Sequence, residues 1–203
     1  MSDTGAPLDI SSVDPNPFAQ FQLWFDEARP LMHEPEAIAL VTATLDGRPS
    51  ARMVLLRRHD HNSFGWYTNY ESRKGGELAA NPHAALLWYC EALGRQIRIE
   101  GTVNKVSPVA SDAYFASRAR ASQLGALASD QSRPLANRAQ LVERFNELSA
   151  EYEGREVPRP AYWGGYSLTP NRFEFWQHRD DRLHDRVIYL LEDATWLLER
   201  QSP

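Results

Sequence analysis

Apolar positions first fall into order at Phe18, Phe21, Trp24, Phe25 and Ala28, which share one face of a helix. Asn16-Pro17 supplies that helix with an N-cap and a first-turn proline, and Pro30 ends it. From Ala37 the period becomes that of strands. Ala37 to Leu45 and Ser50 to Arg57 flank an Asp46-Gly47 hairpin signal, and Phe64 to Thr68 reads as a third strand. Ser72 is placed to cap a short helix through Leu78 that stops near Asn81-Pro82. Ala84 to Tyr89 and Gln96 to Val106 make another hairpin. In its second arm Ile97 and Ile99 alternate with Arg98 and Glu100, so one face is buried and the other wet.

Ser107-Pro108 opens a helix through Phe115, and Asn137 to Tyr152 is a longer amphipathic one. Strands return at Gly165 to Leu168, Arg172 to Gln177, Arg186 to Leu191 and Trp196 to Glu199. The pattern predicts a mainly β fold with peripheral helices (α+β), an antiparallel barrel closed or nearly so. Residues 1–16 begin with a polar run rich in Ser, Asp, Pro and Gly and read as a flexible N-terminal arm. Residues 17–203 read as a single domain.

Charge narrows what such a barrel can hold. The 203 residues carry a formal net charge of -5, which argues against general affinity for nucleic acid. Any bound anion therefore needs a local group of cations. The lone Cys90 excludes an internal disulfide and a multi-thiolate zinc site, and no metal site is expected. No basic start leads into an apolar run, and no apolar stretch approaches the roughly 20 residues of a membrane span. The expectation is a soluble cytoplasmic protein without membrane partners. A Rossmann glycine loop, a P-loop and a nucleophile elbow are all missing, so a phosphate would have to be held by side chains.

Three stretches supply such side chains. Arg52 and Arg57 bracket an apolar strand; Tyr67-Thr68-Asn69-Tyr70-Glu71-Ser72-Arg73-Lys74 runs from a strand end into a helix start. Tyr114 and Arg118, four residues apart, share a helix face, with Ser122 a turn further on if the helix continues. Each stretch also reads as capping or solvated surface. A fourth, Trp176 to Arg186, packs titratable groups between two strands and reads either as an active-site wall or as a charged hairpin loop.

In order along the chain, Arg52-Met53-Val54-Leu55-Leu56, Tyr67-Thr68-Asn69, Ser72-Arg73-Lys74, Arg95-Gln96, Gln131-Ser132, Trp163-Gly164-Gly165-Tyr166, Glu174-Phe175-Trp176 and Arg182-Leu183-His184-Asp185-Arg186 resemble the pyridoxine/pyridoxamine 5'-phosphate oxidases. The likeness runs from about Pro17 to the C-terminus. It implies an FMN-binding split β-barrel, a homodimer with FMN at the subunit interface. By this resemblance Arg52, Met53, Val54, Leu55, Tyr67, Thr68, Arg73, Lys74, Gln96, Gln131, Ser132, Trp176 and Arg186 would contact FMN. Arg57, Tyr114, Arg118, Ser122, Arg182 and His184 would hold the substrate, Arg182 and His184 as the catalytic pair. The implied reaction oxidises pyridoxine or pyridoxamine 5'-phosphate, with O2 as acceptor and peroxide as by-product.

The chain departs from the family pattern in places. Arg57 stands where Lys is usual, Arg118-Ala119-Arg120 lacks the usual central proline, and Trp88-Tyr89-Cys90 replaces a common F-P-W. Two rival readings remain at this stage: a related flavin oxidase acting on another small ring compound, of the phenazine-biosynthesis type, and a non-catalytic flavin-binding module.

Overall fold

The computed structural model describes residues 7–203. Its helices are α1 (Pro17–Ala28), α2 (Arg73–Ala80), α3 (Pro108–Ser117), α4 (Arg120–Ala128) and α5 (Arg138–Glu151). The strands are β1 (Ala37–Ala43), β2 (Pro49–Leu55), β3 (Arg58–His59), β4 (Phe64–Asn69), β5 (His83–Cys90), β6 (Arg95–Lys105), β7 (Trp163–Gln177), β8 (Asp185–Glu192) and β9 (Thr195–Arg200). Among the described residues they form one sheet in the order β2-β1-β5-β6-β7-β4-β3, with β8 and β9 added beside β7. Every ladder in it is antiparallel, the barrel-like mainly β fold with peripheral helices that the sequence pattern predicts.

The strand β7 decides the shape. One of its edges pairs with β6 throughout, while the other pairs with β4 over Trp163–Leu168 and with β8 over Arg172–Gln177. The sequence pattern predicts two separate strands here, Gly165 to Leu168 and Arg172 to Gln177. Instead the strand runs on, absorbing the irregularity in a register shift opposite Glu100/Gly101. Gly101 allows this: a Cβ at that position would lie against the Thr169 carbonyl and the Pro170 Cα.

Helix α1 covers the barrel. Asn16 accepts from the Phe18 N–H at 2.9 Å and Pro17 opens the first turn, as expected from the sequence. Its buried face brings Phe21 edge-on to Phe64 at 4.8 Å and Trp24 edge-on to Phe175 at 5.2 Å. Ile97, Ile99, Phe173 and Phe175 are fully buried from the sheet side. Each such side chain contributes roughly 1.5–3 kcal/mol by burial, so this cluster is the main support of the barrel. Phe115, Leu124, Leu148, Val157 and Trp163 form a smaller cluster under α3, α4 and α5.

Of the arm expected to be flexible over 1–16, residues 1–6 lie outside the described part. Residues 7–16 are anchored. Leu8 is buried and donates its N–H to Asp185, Asp9 pairs with Arg200, and the Tyr189 hydroxyl donates to the Asp14 carbonyl. These partners lie on β8 and β9, far away in sequence, which is why local composition suggested no anchor. No helix among the described residues is long and apolar enough to cross a membrane.

Candidate active site

Strands β2 and β4 approach each other without forming a ladder. Past the end of β2, the Arg57 N–H donates to the Gly65 carbonyl at 2.9 Å and ties the seam. Beside that tie opens a cleft of ≈ 490 Å³. Met53, Val54, Leu55 and Arg57 line it from the β2 side, Tyr67 and Thr68 from β4, Lys74 from α2, and Gln131 from the loop after α4. Tyr114, Arg118 and Ser122 close it from the helical side. Eleven residues singled out from the sequence thus meet at one seam.

At one end Ser72 caps α2 and Lys74 turns inward. The Lys74 ammonium is 8% exposed and donates to Thr68 Oγ1 at 2.8 Å, Ser72 Oγ at 2.9 Å and Gln131 Oε1 at 2.7 Å. All three acceptors are neutral. Burial, joined by the charge of Arg52, pulls its pKa down to about 8, with Glu77 opposing. Such a cation is poised for an anion.

At the other end sits Arg118. The sequence pattern places Tyr114 and Arg118 on one helix face, with Ser122 a turn further on if the helix continues; it does not continue. Arg118 ends α3 in extended backbone (φ -73, ψ 150), Ala119 is extended as well, and α4 begins at Arg120. The three side chains nevertheless face one space. The guanidinium of Arg118 lies 4.6 Å from the Trp163 ring centroid, and its Nη1 is buried with no hydrogen-bond partner. Burial lowers its pKa, Tyr114 opposes, and Arg57 nearby lowers it further. Neither Lys74 nor Arg118 has an ion-pair partner among the described residues.

Between these ends stands an aromatic wall. Tyr67 stacks on Tyr114 at 3.8 Å, and Trp163 lies parallel to both. Gly165, opposite Tyr67 on β7, leaves room for that ring, since a Cβ there would press on it. Trp163 is a lining residue to which the sequence reading gave no role. Its signal was present in the Trp163-Gly164-Gly165 run, where small residues follow a large ring.

Other singled-out residues lie elsewhere. Arg52 sits behind the cleft and donates to the Leu40 carbonyl at 3.1 Å, to Thr42 at 2.6 Å, and to Ser50 and Glu77. Arg73 is mostly exposed and pairs with Glu77 at 2.9 Å. Ser132, in left-handed backbone (φ 70), lines a groove against α5 rather than the cleft.

Gln96, Trp176 and Arg186 form a row across β6, β7 and β8, since Gln96 pairs with Trp176 and Trp176 with Arg186. His184 lies 4.6 Å from the Trp176 ring, and its Nδ1 accepts the Arg179 N–H at 3.1 Å. The Nδ1 acceptor leaves the ring proton on Nε2, and burial, with His178 and Arg182 adding to it, lowers the His184 pKa. Arg182 is exposed, in a turn where it and Asp181 both adopt positive φ (61 and 55). None of these residues lines the cleft. Trp163 and Trp176 are the two ends of β7's pairing, thirteen residues apart and up to roughly 40 Å along an extended strand. A single copy does not bring the two groups together.

Barrel, seam and cleft together define a split-barrel protein with a cleft lined by three cations, Arg57, Lys74 and Arg118. Residues 25–151 match the family model described as pyridoxamine 5'-phosphate oxidase, and residues 163–203 match the pyridoxine 5'-phosphate oxidase C-terminal dimerisation region. The chain belongs to the pyridoxine/pyridoxamine 5'-phosphate oxidase family, a family of oxidoreductases. It is 52% identical to the protein of that name from Rubrobacter xylanophilus, over 98% of this chain and 93% of the relative. The corresponding protein from Paraburkholderia phymatum is 55% identical, over 97% of this chain and 93% of the relative. Among solved structures, PhzG from Burkholderia lata 383 in complex with tetrahydrophenazine-1-carboxylic acid superposes with a TM-score of 0.89 at 31% identity, covering 98% of this chain and all of that one.

Proposed function

We propose that this protein is a homodimeric, FMN-dependent oxidase that converts pyridoxine 5'-phosphate, pyridoxamine 5'-phosphate or both into pyridoxal 5'-phosphate, with O2 as acceptor and H2O2 as by-product. The observation that carries the reading is a pair of cations, buried Lys74 and half-buried Arg118, lining one cleft without ion-pair partners among the described residues. Two phosphates, one on the cofactor and one on the substrate, would satisfy them. The names of the relatives at 52% and 55% identity support the same substrates.

The residues present fit FMN. Lys74, Thr68, Ser72 and Gln131 form a cationic and hydroxylic cradle at the capped start of α2, with Arg73 at its rim. Met53, Val54 and Leu55 supply the strand edge along which a flat ring system would lie. The chemistry FMN supplies when bound is acceptance of a hydride from the substrate's C4' carbon and return of the electrons to O2.

The protein's share is binding, orientation and proton control. Arg118, Arg57, Tyr114 and Ser122 hold the substrate phosphate, the guanidinium forks matching its oxygens. Gln96, Trp176, Arg182, His184 and Arg186 of a second copy complete the cofactor and substrate sites, consistent with the match of 163–203 to a dimerisation region. Arg182 places and polarises the substrate. His184, with Nδ1 taken by the Arg179 N–H and Nε2–H left as its donor, orients the substrate's C4' substituent and manages its proton.

The likeness to PhzG favours a second reading, a flavin oxidase of another ring compound. That reading would set Arg118 against a ring carboxylate instead of a phosphate. Turnover distinguishes the two: the protein loaded with FMN should form pyridoxal 5'-phosphate and peroxide in equal amounts from pyridoxine 5'-phosphate and should leave unphosphorylated pyridoxine nearly untouched. Equal use of both compounds would remove the substrate-phosphate site from the account.

A further inference from the structure

Glu77 lies one turn into α2, beneath the cleft rather than in it, and its side chain is 5% exposed. Four groups from three elements converge on its carboxylate. Thr42 of β1 and Ser50 of β2 donate to Oε2 at 2.5 and 2.6 Å, Arg52 of β2 reaches Oε2 at 3.3 Å, and Arg73 of α2 donates to Oε1 at 2.9 Å. Both arginines belong to the set that the family resemblance implies contacts FMN, and Lys74 follows Arg73 directly in the chain. We infer that Glu77 is a positioning residue for the cofactor phosphate, fixing Arg52 and Arg73 and balancing the charge of the group they form with Lys74. The inference rests on the FMN reading above.

Charge is one part of the argument. Arg52, Arg73 and Lys74 are three cations crowded at the start of one helix, and the single carboxylate leaves the group two charges positive. That is the complement of a phosphate monoester dianion. Geometry is the other part. Arg52 spends its Nη1 and Nη2 donors on Leu40, Thr42, Ser50 and Glu77, so it serves as a fixed charge behind the cleft wall. Arg73 is held by Nε, and with 63% of its side chain exposed its two Nη groups remain available to a ligand.

Glu77 is saturated by its own donors and does not line the cleft, so it does not occupy the place a phosphate would take. Burial pushes its pKa up, but hydrogen bonds from Ser50, Thr42 and Arg73 and the charge of Arg52 outweigh this and hold it at about 2. It therefore stays ionised throughout the working range.

The test compares FMN with riboflavin, which lacks the phosphate, in fluorescence-quenching titrations of the full chain freed of flavin. Glu77→Gln should weaken FMN by at least roughly tenfold while changing riboflavin by less than about threefold. A purely structural role would weaken both together. Unchanged or tighter FMN binding would overturn the inference, the latter making Glu77 a competitor for the arginines. If Glu77→Gln does not fold, Glu77→Asp keeps the charge but shortens its reach, and the same selective loss is expected; retention of FMN affinity in that variant overturns the inference equally. A wild-type chain that binds neither flavin, or binds both alike, would remove the FMN reading itself, a result visible before any variant is made.

Discussion

Arg118 brings a charge into a half-buried site and leaves Nη1 without a partner, an arrangement that costs stability unless a ligand completes it. Arg118→Ala should therefore weaken the phosphorylated substrate by about 2–5 kcal/mol, seen in substrate titrations, while FMN affinity holds. Loss of flavin in that variant would merge the two phosphate sites into one. Lys74 gives a pH signature. Its pKa of about 8 reflects burial and Arg52, opposed by Glu77. Above that pH the free protein has lost the proton, whereas a bound phosphate favours the charged form. FMN affinity should thus be flat from about pH 7, above the second phosphate pKa of about 6, to about pH 8 and fall above it, with proton uptake on binding near pH 9. Lys74→Arg should flatten the profile, because a guanidinium stays charged; an unchanged profile would assign the titration elsewhere. At this scale the cleft cations were legible in the sequence from their clustering with hydroxyls. Glu77 was not, because Thr42, Ser50 and Arg52 reach it from β1 and β2, 25 to 35 residues away.

Elements were legible wherever burial alternated cleanly. The strands β1, β5 and β6 bury every second residue over most of their length, and the caps Asn16, Ser72, Ser107 and Asn137 all accept backbone N–H bonds where the sequence placed them. Two departures from the local pattern differ in range: one is imposed by a strand distant in the chain, the other accompanies a contact eight residues away. Pro170 and Asn171 lie between the two predicted strands, yet β6 holds β7 straight through them. Arg118 and Ala119 look helical, yet the backbone turns extended and restarts as α4, with Gln123 donating back to the Phe115 carbonyl at 2.8 Å. The β6–β7 crossing yields a stability test. Gly101→Ala would press a methyl on backbone atoms of Thr169 and Pro170 and should cost about 1–3 kcal/mol in urea unfolding. Gly76→Ala, on the open face of α2, meets nothing and should stabilise by about 0.5–1 kcal/mol. Equal effects at both sites would contradict the close approach at Gly101.

For the whole molecule the open question is how the cleft at the β2–β4 seam and the Trp176–His184–Arg186 group, at opposite ends of β7, serve one reaction. In the proposed dimer each copy lends its C-terminal group to the other's cleft, in keeping with the dimerisation region matched by 163–203. Arg118→Ala and the Arg182→Ala/His184→Ala double variant should each be nearly inactive. Mixed as heterodimers they should regain about a quarter of wild-type turnover, since half of randomly paired dimers hold one intact site of two. No recovery would place both groups within one copy's site. Oxidation of a phosphorylated pyridoxine by a bound flavin is tested most directly by mixing the FMN-loaded protein anaerobically with pyridoxine 5'-phosphate and with pyridoxamine 5'-phosphate while following the visible absorbance of the oxidised flavin. At least one of them should bleach it, and colour should return on admitting air. Flavin that stays bound and yellow in the presence of both would rule the reaction out.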